Sequence, residues 1–257
     1  MRKIHSIDNT GKIKFIDDKG TGTTFGNEAD CKAYGYQYVN GVCRVPASKQ
    51  ETSRENNFIN GNGNIVNGVS NSVLGNNNTL RSNNSVAIGK GHYIDKTALY
   101  STAIGLNTYV ENYGELSYSA SIIPNRAKYT ILQYDGITTN ATATELYLGG
   151  FIGARLYINT DYESGYAIDY TAVALNAASN EVWTNYGHAT YKYVNNTLTE
   201  VGHEKSTTIR DSGTNHYNIE FAPISSVPDY IEVKVTGDTG HTVYWTVILK
   251  VTEVRYG

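Results

Sequence analysis

Short apolar runs, each two or three residues long and closed by glycine or asparagine, recur through residues 57–120. Three of these runs end at Gly61, Gly68 and Gly75, seven residues apart, and later ones follow a spacing of fourteen to sixteen. A seven-residue unit with two or three apolar positions suits one short strand and one turn. Two units complete one coil, so the pattern predicts a repetitive parallel β-roll over residues 57–120.

The residues between the apolar runs favour a roll over a helical structure. Glycine adopts turn conformations that other residues resist, and asparagine both tolerates them and can form side-chain ladders between stacked coils. A heptad coiled coil is the rival for a period of seven. It is disfavoured because glycine and asparagine at this density destabilise helices, and the segment has no leucine/isoleucine seam.

Alternating apolar and polar positions replace the repeat in residues 121–257. Such runs lie at 129–134, 145–148, 155–158 and 230–235. The last and clearest run is expected to present a core face made of Val243, Trp245, Val247, Leu249 and Val251. About eight or nine strands with turns between them predict a C-terminal β-sandwich of jelly-roll type.

Residues 1–56 mix charge with short strand patterns. Residues 12–16 have the pattern of a strand, and Asn27 is placed to cap a short helix. Asn40 and Gly41 form the preferred pair for a type I′ turn, which predicts a hairpin around them. The segment is therefore expected to be a small folded unit, either a cap or an adaptor that docks onto other proteins.

The two cysteines, Cys31 and Cys43, fit a disulfide, two buried thiols or half of a metal site. The predicted hairpin places Tyr38 opposite Cys43, so a disulfide would have to staple the helix onto the hairpin. Thiols are favoured, because a chain made in a cytosol starts reduced. A zinc site would need two more ligands at metal spacing, and none lies nearby, so no metal is predicted.

Charge and hydropathy argue against two classes of partner. The formal net charge is -3 and the sequence pI is about 6.1, which provides no basic field for nucleic acid. The first residues contain no apolar stretch of about 7 to 15 residues, as a secretory signal requires. The apolar stretch at 247–249 is far short of the roughly 20 residues that span a bilayer. Neither nucleic-acid binding nor membrane insertion is predicted.

Sequence signatures of catalysis are sparse. The chain has no Gly-x-Ser-x-Gly elbow, and its histidines have no metal-binding spacing, so no cofactor is predicted. Asp161, Glu163 and Asp169 are the nearest group of carboxylates, which a polysaccharide-cleaving enzyme would use in pairs. Their tyrosine- and glycine-rich surroundings favour a solvated loop instead. The chain is therefore expected not to be an enzyme.

Four aromatic residues cluster within eleven positions and form a candidate ligand-binding surface: Trp183, Tyr186, Tyr191 and Tyr193. A hairpin in this region could present their rings to a sugar or to a protein partner. The alternative is that Trp183, Tyr191 and Tyr193 belong to the core of the sandwich, and this alternative is favoured.

Two sets of motifs resemble known families. The sequence Asn-Ser-Val-Ala-Ile-Gly at 84–89 and its echo at 101–105 resemble the head repeat of trimeric autotransporter adhesins and of many phage tail fibres. This resemblance implies a left-handed parallel β-roll, three copies of which pack around a three-fold axis. Residues 136–146 and 244–254 resemble the C-terminal domain of many phage tail and fibre proteins, which implies a structural protein of the virion.

The thin interior of a single roll argues for oligomerisation independently of the resemblance. A second apolar row, expected to include Ala87 and Ala103, would stay exposed unless neighbouring chains covered it. Closed cyclic symmetry covers such a row with identical surfaces. The residues thus predict an oligomer, and the resemblance implies that it is a homotrimer.

These inferences predict a homotrimeric fibre or spike of a tailed bacteriophage, localised to the virion. Residues 1–56 would dock onto other virion proteins, residues 57–120 would form a stiff spacer, and residues 121–257 would form a distal knob that contacts a host-surface glycan or protein. One alternative is a capsid-decorating head fibre without a receptor role. Others are a cellular trimeric adhesin, which predicts a signal peptide and a membrane anchor, and a virion enzyme that degrades polysaccharide.

Overall fold

The chain folds almost wholly into β-structure, which confirms the all-β prediction. In the part of the chain that the structure describes, one six-residue helix interrupts the strands. This computed structural model describes residues 2–7, 12–16, 20, 22–34, 36–44, 56–210, 217–226 and 228–256.

The N-terminal segment contains a three-stranded antiparallel sheet, a helix and a hairpin. These elements are β1 (Ile4–Ile7), β2 (Ile13–Ile16), β3 (Thr23–Phe25), α1 (Glu28–Ala33), β4 (Gln37–Val39) and β5 (Val42–Arg44). Asn27 caps the helix by accepting a hydrogen bond from the Asp30 amide, as predicted. Asn40 and Gly41 both have positive φ, and Tyr38 lies opposite Cys43, so the predicted hairpin and its register are confirmed.

Cys31 and Cys43 are joined by a disulfide, whereas the sequence favoured two thiols. Helix α1 packs against β5, which brings the two Cα atoms to 5.5 Å, within the usual range for a disulfide. Both cysteines are fully buried beside Ile13 and Phe15. The bond therefore fastens the helix to the hairpin over the small core of this segment.

The predicted roll is present as two parallel sheets joined by turns. Its strands are β6 (Phe58–Asn60), β7 (Ile65–Val66), β8 (Ser72–Asn76), β9 (Thr79–Leu80), β10 (Val86–Lys90), β11 (Tyr93–Ile94), β12 (Thr102–Leu106), β13 (Tyr109–Val110) and β14 (Leu116–Ala120). The longer strands stack in the order β6, β8, β10, β12 and β14, and the two-residue strands stack in a second sheet. Each coil therefore consists of two strands and two turns, as the seven-residue unit predicted.

The register of the longer strands decides which apolar row fills the interior. Val73, Ala87 and Ala103 are aligned on neighbouring strands, and all three are fully buried. The prediction that Ala87 and Ala103 form an exposed second row is wrong. Side chains alternate along a strand, so the next residues, Ile88 and Ile104, point outward. The narrow roll accommodates the small alanines inside and leaves the larger isoleucines on its surface.

Polar side chains inside the roll form two ladders that bond one coil to the next. In the first ladder, Asn57 Oδ1 accepts from the Asn71 amide at 2.8 Å, and Asn71 Oδ1 accepts from the Ser85 amide at 2.9 Å. In the second, Asn78 Oδ1 accepts from the His92 amide, and His92 Nδ1 accepts from the Thr108 amide at 3.2 Å. These bonds satisfy buried amides at the turns, which explains the asparagine content of the repeat.

The hydrogen bonds of His92 make the stability of the roll depend on pH. Because Nδ1 accepts from the Thr108 amide, the imidazole must be neutral, with Nε2 donating to the Ile88 carbonyl. Burial lowers the pKa of His92 from its ordinary value of 6.5. Its contribution to stability is therefore complete above about pH 6.5 and is lost as the pH falls toward the lowered value.

Replacing His92 with asparagine should flatten the pH dependence of stability between pH 7 and pH 5. Asparagine supplies the same acceptor, as Asn78 does one coil earlier, but it cannot be protonated. Urea unfolding at several pH values would measure the effect. A variant whose free energy of unfolding still falls with acidification as steeply as that of the wild type would contradict this assignment.

The C-terminal part contains ten strands, among the residues that the structure describes. They are β15 (Ala127–Thr138), β16 (Thr144–Glu145), β17 (Tyr147–Leu148), β18 (Leu156–Tyr157), β19 (Glu163–Asn176), β20 (Val182–Val194), β21 (Thr197–Arg210), β22 (Asn218–Ile224), β23 (Tyr230–Thr236) and β24 (Val243–Tyr256). Strand β15 pairs with β14, the last strand of the roll, so one eleven-stranded sheet runs from the roll into this part. Beyond β15 the sheet continues in the order β24, β19, β20 and β21, and β17 is its eleventh strand, which also pairs with β15.

A second sheet of four strands, β16, β18, β22 and β23, contributes to the same core as the long sheet. On β24, the five residues predicted to face this core are all buried, which confirms the predicted face: Val243, Trp245, Val247, Leu249 and Val251. The Trp245 indole also donates to Thr138 Oγ1 at 2.9 Å. The long sheet is thereby anchored to the core through its central strand.

Candidate functional site

The aromatic surface proposed from the sequence is not assembled in the structure. Trp183, Tyr191 and Tyr193 are buried, and Tyr186 is exposed. All four lie on β20, where odd-numbered positions face the core and even-numbered positions face outward. Trp183 packs edge-on against Trp245, with ring centroids 5.6 Å apart. The core interpretation therefore fits three of the four residues, and Tyr186 is the one of the four that is exposed.

The carboxylates considered for polysaccharide cleavage do not form a pair. Glu163 and Asp169 lie six residues apart on β19, which corresponds to about 20 Å along an extended strand. Paired acids of glycosidases lie about 5 to 10 Å apart. Asp169 instead contacts the exposed His188, with Oδ1 2.5 Å from Nδ1. Asp161 lies in the preceding turn and is exposed.

A buried group of charged residues, which the sequence did not reveal, lies where the roll meets the C-terminal strands. It is built on Glu115, which occupies the last position of the first ladder and whose amide donates to Ser101 Oγ at 3.0 Å. The Glu115 carboxylate is fully buried. It accepts hydrogen bonds from the Asn112 amide at 2.9 Å and from the hydroxyl of Ser117. The roll thus ends on an ionised side chain that must be neutralised.

Lys128 on β15 supplies that neutralisation. Its Nζ lies 2.9 Å from Glu115 Oε1 and 3.5 Å from Glu253 Oε2, and all three side chains are almost completely buried. Arg255, also on β24, donates from Nε to Glu253 and from Nη2 to Glu111 Oε2. We call these five residues the charged junction: Glu111, Glu115, Lys128, Glu253 and Arg255.

The charges in this junction shift one another's pKa values in different directions. Burial would raise the pKa of Glu115, but Lys128 and the hydrogen bonds to the carboxylate outweigh it, so the pKa is lowered. The pKa of Glu253 is also lowered, because Lys128 and Arg255 together outweigh burial. Burial raises the pKa of Glu111, despite its contact with Arg255. Glu115 and Glu253 are therefore held ionised at neutral pH.

The junction is packed rather than open. The crevice beside it is narrow, and no point in it is wide enough for a water molecule. Its lining residues are Asn107, Tyr109, Asn125, Ala127, Lys128, Glu253 and Arg255. The arrangement therefore joins the end of the roll to β15 and β24.

No group of three or more histidine, cysteine or acidic side chains in the described ranges is arranged to hold a metal ion. The same residues include no helix with the length and apolar character needed to cross a membrane.

Three solved structures, but no sequence family, are similar to the chain. No protein-family model and no curated protein sequence matches the chain. Among solved structures, it is similar to the tailspike protein gp49 of Acinetobacter baumannii bacteriophage Fri1, described as a capsular polysaccharide depolymerase. The TM-score is 0.34 at 10% identity, and the match covers 77% of this chain and 36% of that one.

Two further solved structures are similar to the chain. The tailspike of A. baumannii phage AM24 gives a TM-score of 0.31 at 6% identity, with 77% of this chain and 48% of that chain covered. The tailspike of Acinetobacter phage vB_ApiP_P1 gives a TM-score of 0.22 at 12% identity, with 78% and 47% covered. All three are phage tailspikes. The chain spans about half or less of the length of each.

These comparisons correct one prediction. The chain was expected not to be an enzyme, whereas the gp49 tailspike to which it is similar is described as a depolymerase, which is an enzyme. The expectation of a non-enzymatic chain is therefore withdrawn.

Proposed function

We propose that the chain is a subunit of a homotrimeric spike or fibre of a tailed bacteriophage, which attaches the virion to a cell-surface polysaccharide. Residues 1–56 dock onto the virion, residues 57–120 form a left-handed roll that acts as a stiff spacer, and residues 121–257 form a β-sandwich knob. Three equivalent knob contacts would act together, so a weak single contact suffices for firm attachment.

One observation carries the assembly part of this proposal: a continuous apolar row on the outside of the roll. The row consists of Leu74, Ile88, Ile104 and Tyr118, which are direct neighbours in the register of β8, β10, β12 and β14. Each is between 37% and 53% exposed. Under cyclic symmetry the same apolar row of each chain faces its neighbours, so identical chains can bury it.

The assembly is tested by mass in solution. Light scattering of the wild type should give three times the chain mass of 28.2 kDa. Replacing Ile88 with aspartate should shift the mass to that of the monomer, because it places a charge in the centre of the row that trimer formation would bury. Val201, which is 61% exposed on β21, provides the matched control, and its replacement with aspartate should leave the trimer intact.

A stable wild-type monomer would contradict the trimer. A trimeric Ile88→Asp protein would show that the row is not the interface.

Attachment is tested on the phage that encodes the chain. Gold-labelled antibody against the chain should mark the tail of intact particles, and purified protein should compete with those particles for adsorption to host cells. Labelling of the capsid instead would favour a decorating fibre. Incubating the protein with host capsular polysaccharide and assaying for new reducing ends would distinguish attachment with cleavage from attachment alone.

A further inference from the structure

A chain of three aromatic rings lies on the surface where the roll ends. Tyr100 packs edge-on against Tyr113, with ring centroids 5.6 Å apart, and Tyr113 stacks on Phe151 at 5.2 Å with an angle of 11°. The outer two rings, Tyr100 and Phe151, are more than half exposed. The sequence did not single out this group, because Phe151 is far from the other two along the chain.

Tyr100 occupies a turn position where a bulky residue is unexpected. Successive coils place Ser70, Asn84, Tyr100 and Gly114 at the same corner, and all four have φ between 55° and 64°. This left-handed conformation suits glycine and asparagine but strains a tyrosine. Among the described residues with positive φ, Tyr100 is the one aromatic. Strain of this kind concentrates at functional positions, so the exposed ring has a use other than stability.

Phe151 is also displayed by a specialised turn. Gly149, Gly150 and Gly153 all have positive φ, so the loop can fold tightly, and the Ala154 amide closes it by donating to the Phe151 carbonyl at 2.9 Å. The loop holds its apolar residues outward, and Ile152 is 83% exposed. An apolar tip fixed in this way is ready to contact a ligand without further ordering.

One acidic side chain lies beside the loop that carries Phe151. A Cβ added to Gly150 would lie 3.8 Å from that of Asp135, which places the Asp135 side chain next to this loop. Asp135 accepts one bond from Thr246 Oγ1 at 2.7 Å and one from Gln133 Nε2 at 2.8 Å. Each carboxylate oxygen can accept two bonds, so Asp135 retains acceptor capacity.

We infer that Tyr100, Tyr113, Phe151 and Asp135 form a binding site for a pyranose ring of a surface polysaccharide. The half-exposed rings of Tyr100 and Phe151 offer apolar surface to the C–H face of the sugar, and the carboxylate accepts from its hydroxyl groups. Asp135 favours a sugar over a second copy of this chain as the occupant. A protein contact would remove water from the carboxylate beside this small aromatic patch, which is costly, whereas sugar hydroxyl groups can donate hydrogen bonds to it. This inference rests on the proposed attachment function and assigns its contact point.

The site is tested by binding to an array of bacterial capsular and O-antigen polysaccharides. Tyr100→Asn and Phe151→Ser should each weaken binding of the glycan that the wild type recognises at least tenfold. Asparagine relieves the strain at position 100, as Asn84 does at the same corner one coil earlier, so the melting temperature of that variant should not fall. Tyr256→Ser is the control, because Tyr256 is 72% exposed and lies outside the ring chain.

The possible outcomes distinguish a failure of the proposed site from a failure of the proposed function. If the wild type binds a glycan and both variants bind it equally well, the site is refuted and the attachment function stands. If the wild type binds no polysaccharide on the array or on host cells, the attachment function itself fails. If Tyr100→Asn changes the oligomeric mass instead of binding, the rings form a contact between copies, and the inference is overturned.

Discussion

Replacing Gly89 with alanine is expected to unfold the roll, with a loss of about 4 kcal/mol or more in the free energy of unfolding. A Cβ at this position would lie 1.9 Å from the carbonyl oxygen of Gly105 in the next coil. That oxygen belongs to the backbone of a stacked strand, so it cannot move without separating the coils. Gly89 also has a φ of 132°, which an alanine rarely adopts.

Gly165→Ala provides the matched control. Gly165 lies near the start of β19, with no atom within 4 Å of an added Cβ and with an ordinary backbone conformation. Its replacement should leave stability within about 0.5 kcal/mol of the wild type. Chemical unfolding followed by circular dichroism would compare the two variants. Equal stability of Gly89→Ala and the wild type would mean that the coils are spaced more widely than this register requires.

The roll could be predicted from the sequence because its determinants are local. Each coil repeats the same short apolar run and the same glycine, so the strands at 86–90 and 102–106 follow from a single period. The turn at Asn40 and Gly41 was equally readable, since two adjacent residues determine its type. The core face of the last strand followed from strict alternation between residues 243 and 251.

The direction that each apolar row faces could not be read from the same period. Both Ala87 and Ile88 are apolar, and their order along the strand does not reveal which one points inward. The width of the interior decides this, and that width depends on how closely the two sheets of the roll approach. Trp183, Tyr191 and Tyr193 did carry a usable signal, because their odd-numbered spacing on one strand indicates a shared buried face.

The charged junction was beyond prediction for a different reason. Glu111 and Arg255 are 144 residues apart in sequence, and no local pattern marks either as the partner of the other. Their contact exists because β15 pairs with β14 on one side and β24 on the other, which brings the end of the chain to the end of the roll. The repeat ends near residue 120, and nothing in the sequence there indicated that a single sheet continues from the roll into the C-terminal strands.

Replacing Lys128 with methionine should destabilise the protein by about 3 to 5 kcal/mol, because it leaves buried carboxylates without their shared cation. Lys128 neutralises both Glu115 and Glu253, and no side chain of the three is more than 8% exposed. Adding Glu115→Gln to this variant should recover part of the loss, since it removes the carboxylate whose paired cation is missing, whereas Glu253 retains Arg255. Lys32→Met is the surface control, because its pair with Glu28 is exposed, and no measurable change is expected there.

The Lys128→Met variant should reverse the sign of the pH dependence that Glu115 contributes, whereas Glu253 keeps its contact with Arg255. In the wild type the pKa values of both glutamates are lowered below 4.5, so their stabilisation is present above that pH and is lost as the pH falls. Without Lys128, burial dominates and raises the pKa of Glu115, whose contribution then favours folding in acid and is lost as the pH rises. Urea unfolding at pH 7 and pH 5 should therefore show a smaller deficit in the variant at pH 5. A deficit that is equal or larger at pH 5 would show that Lys128 is not the group that holds these carboxylates ionised.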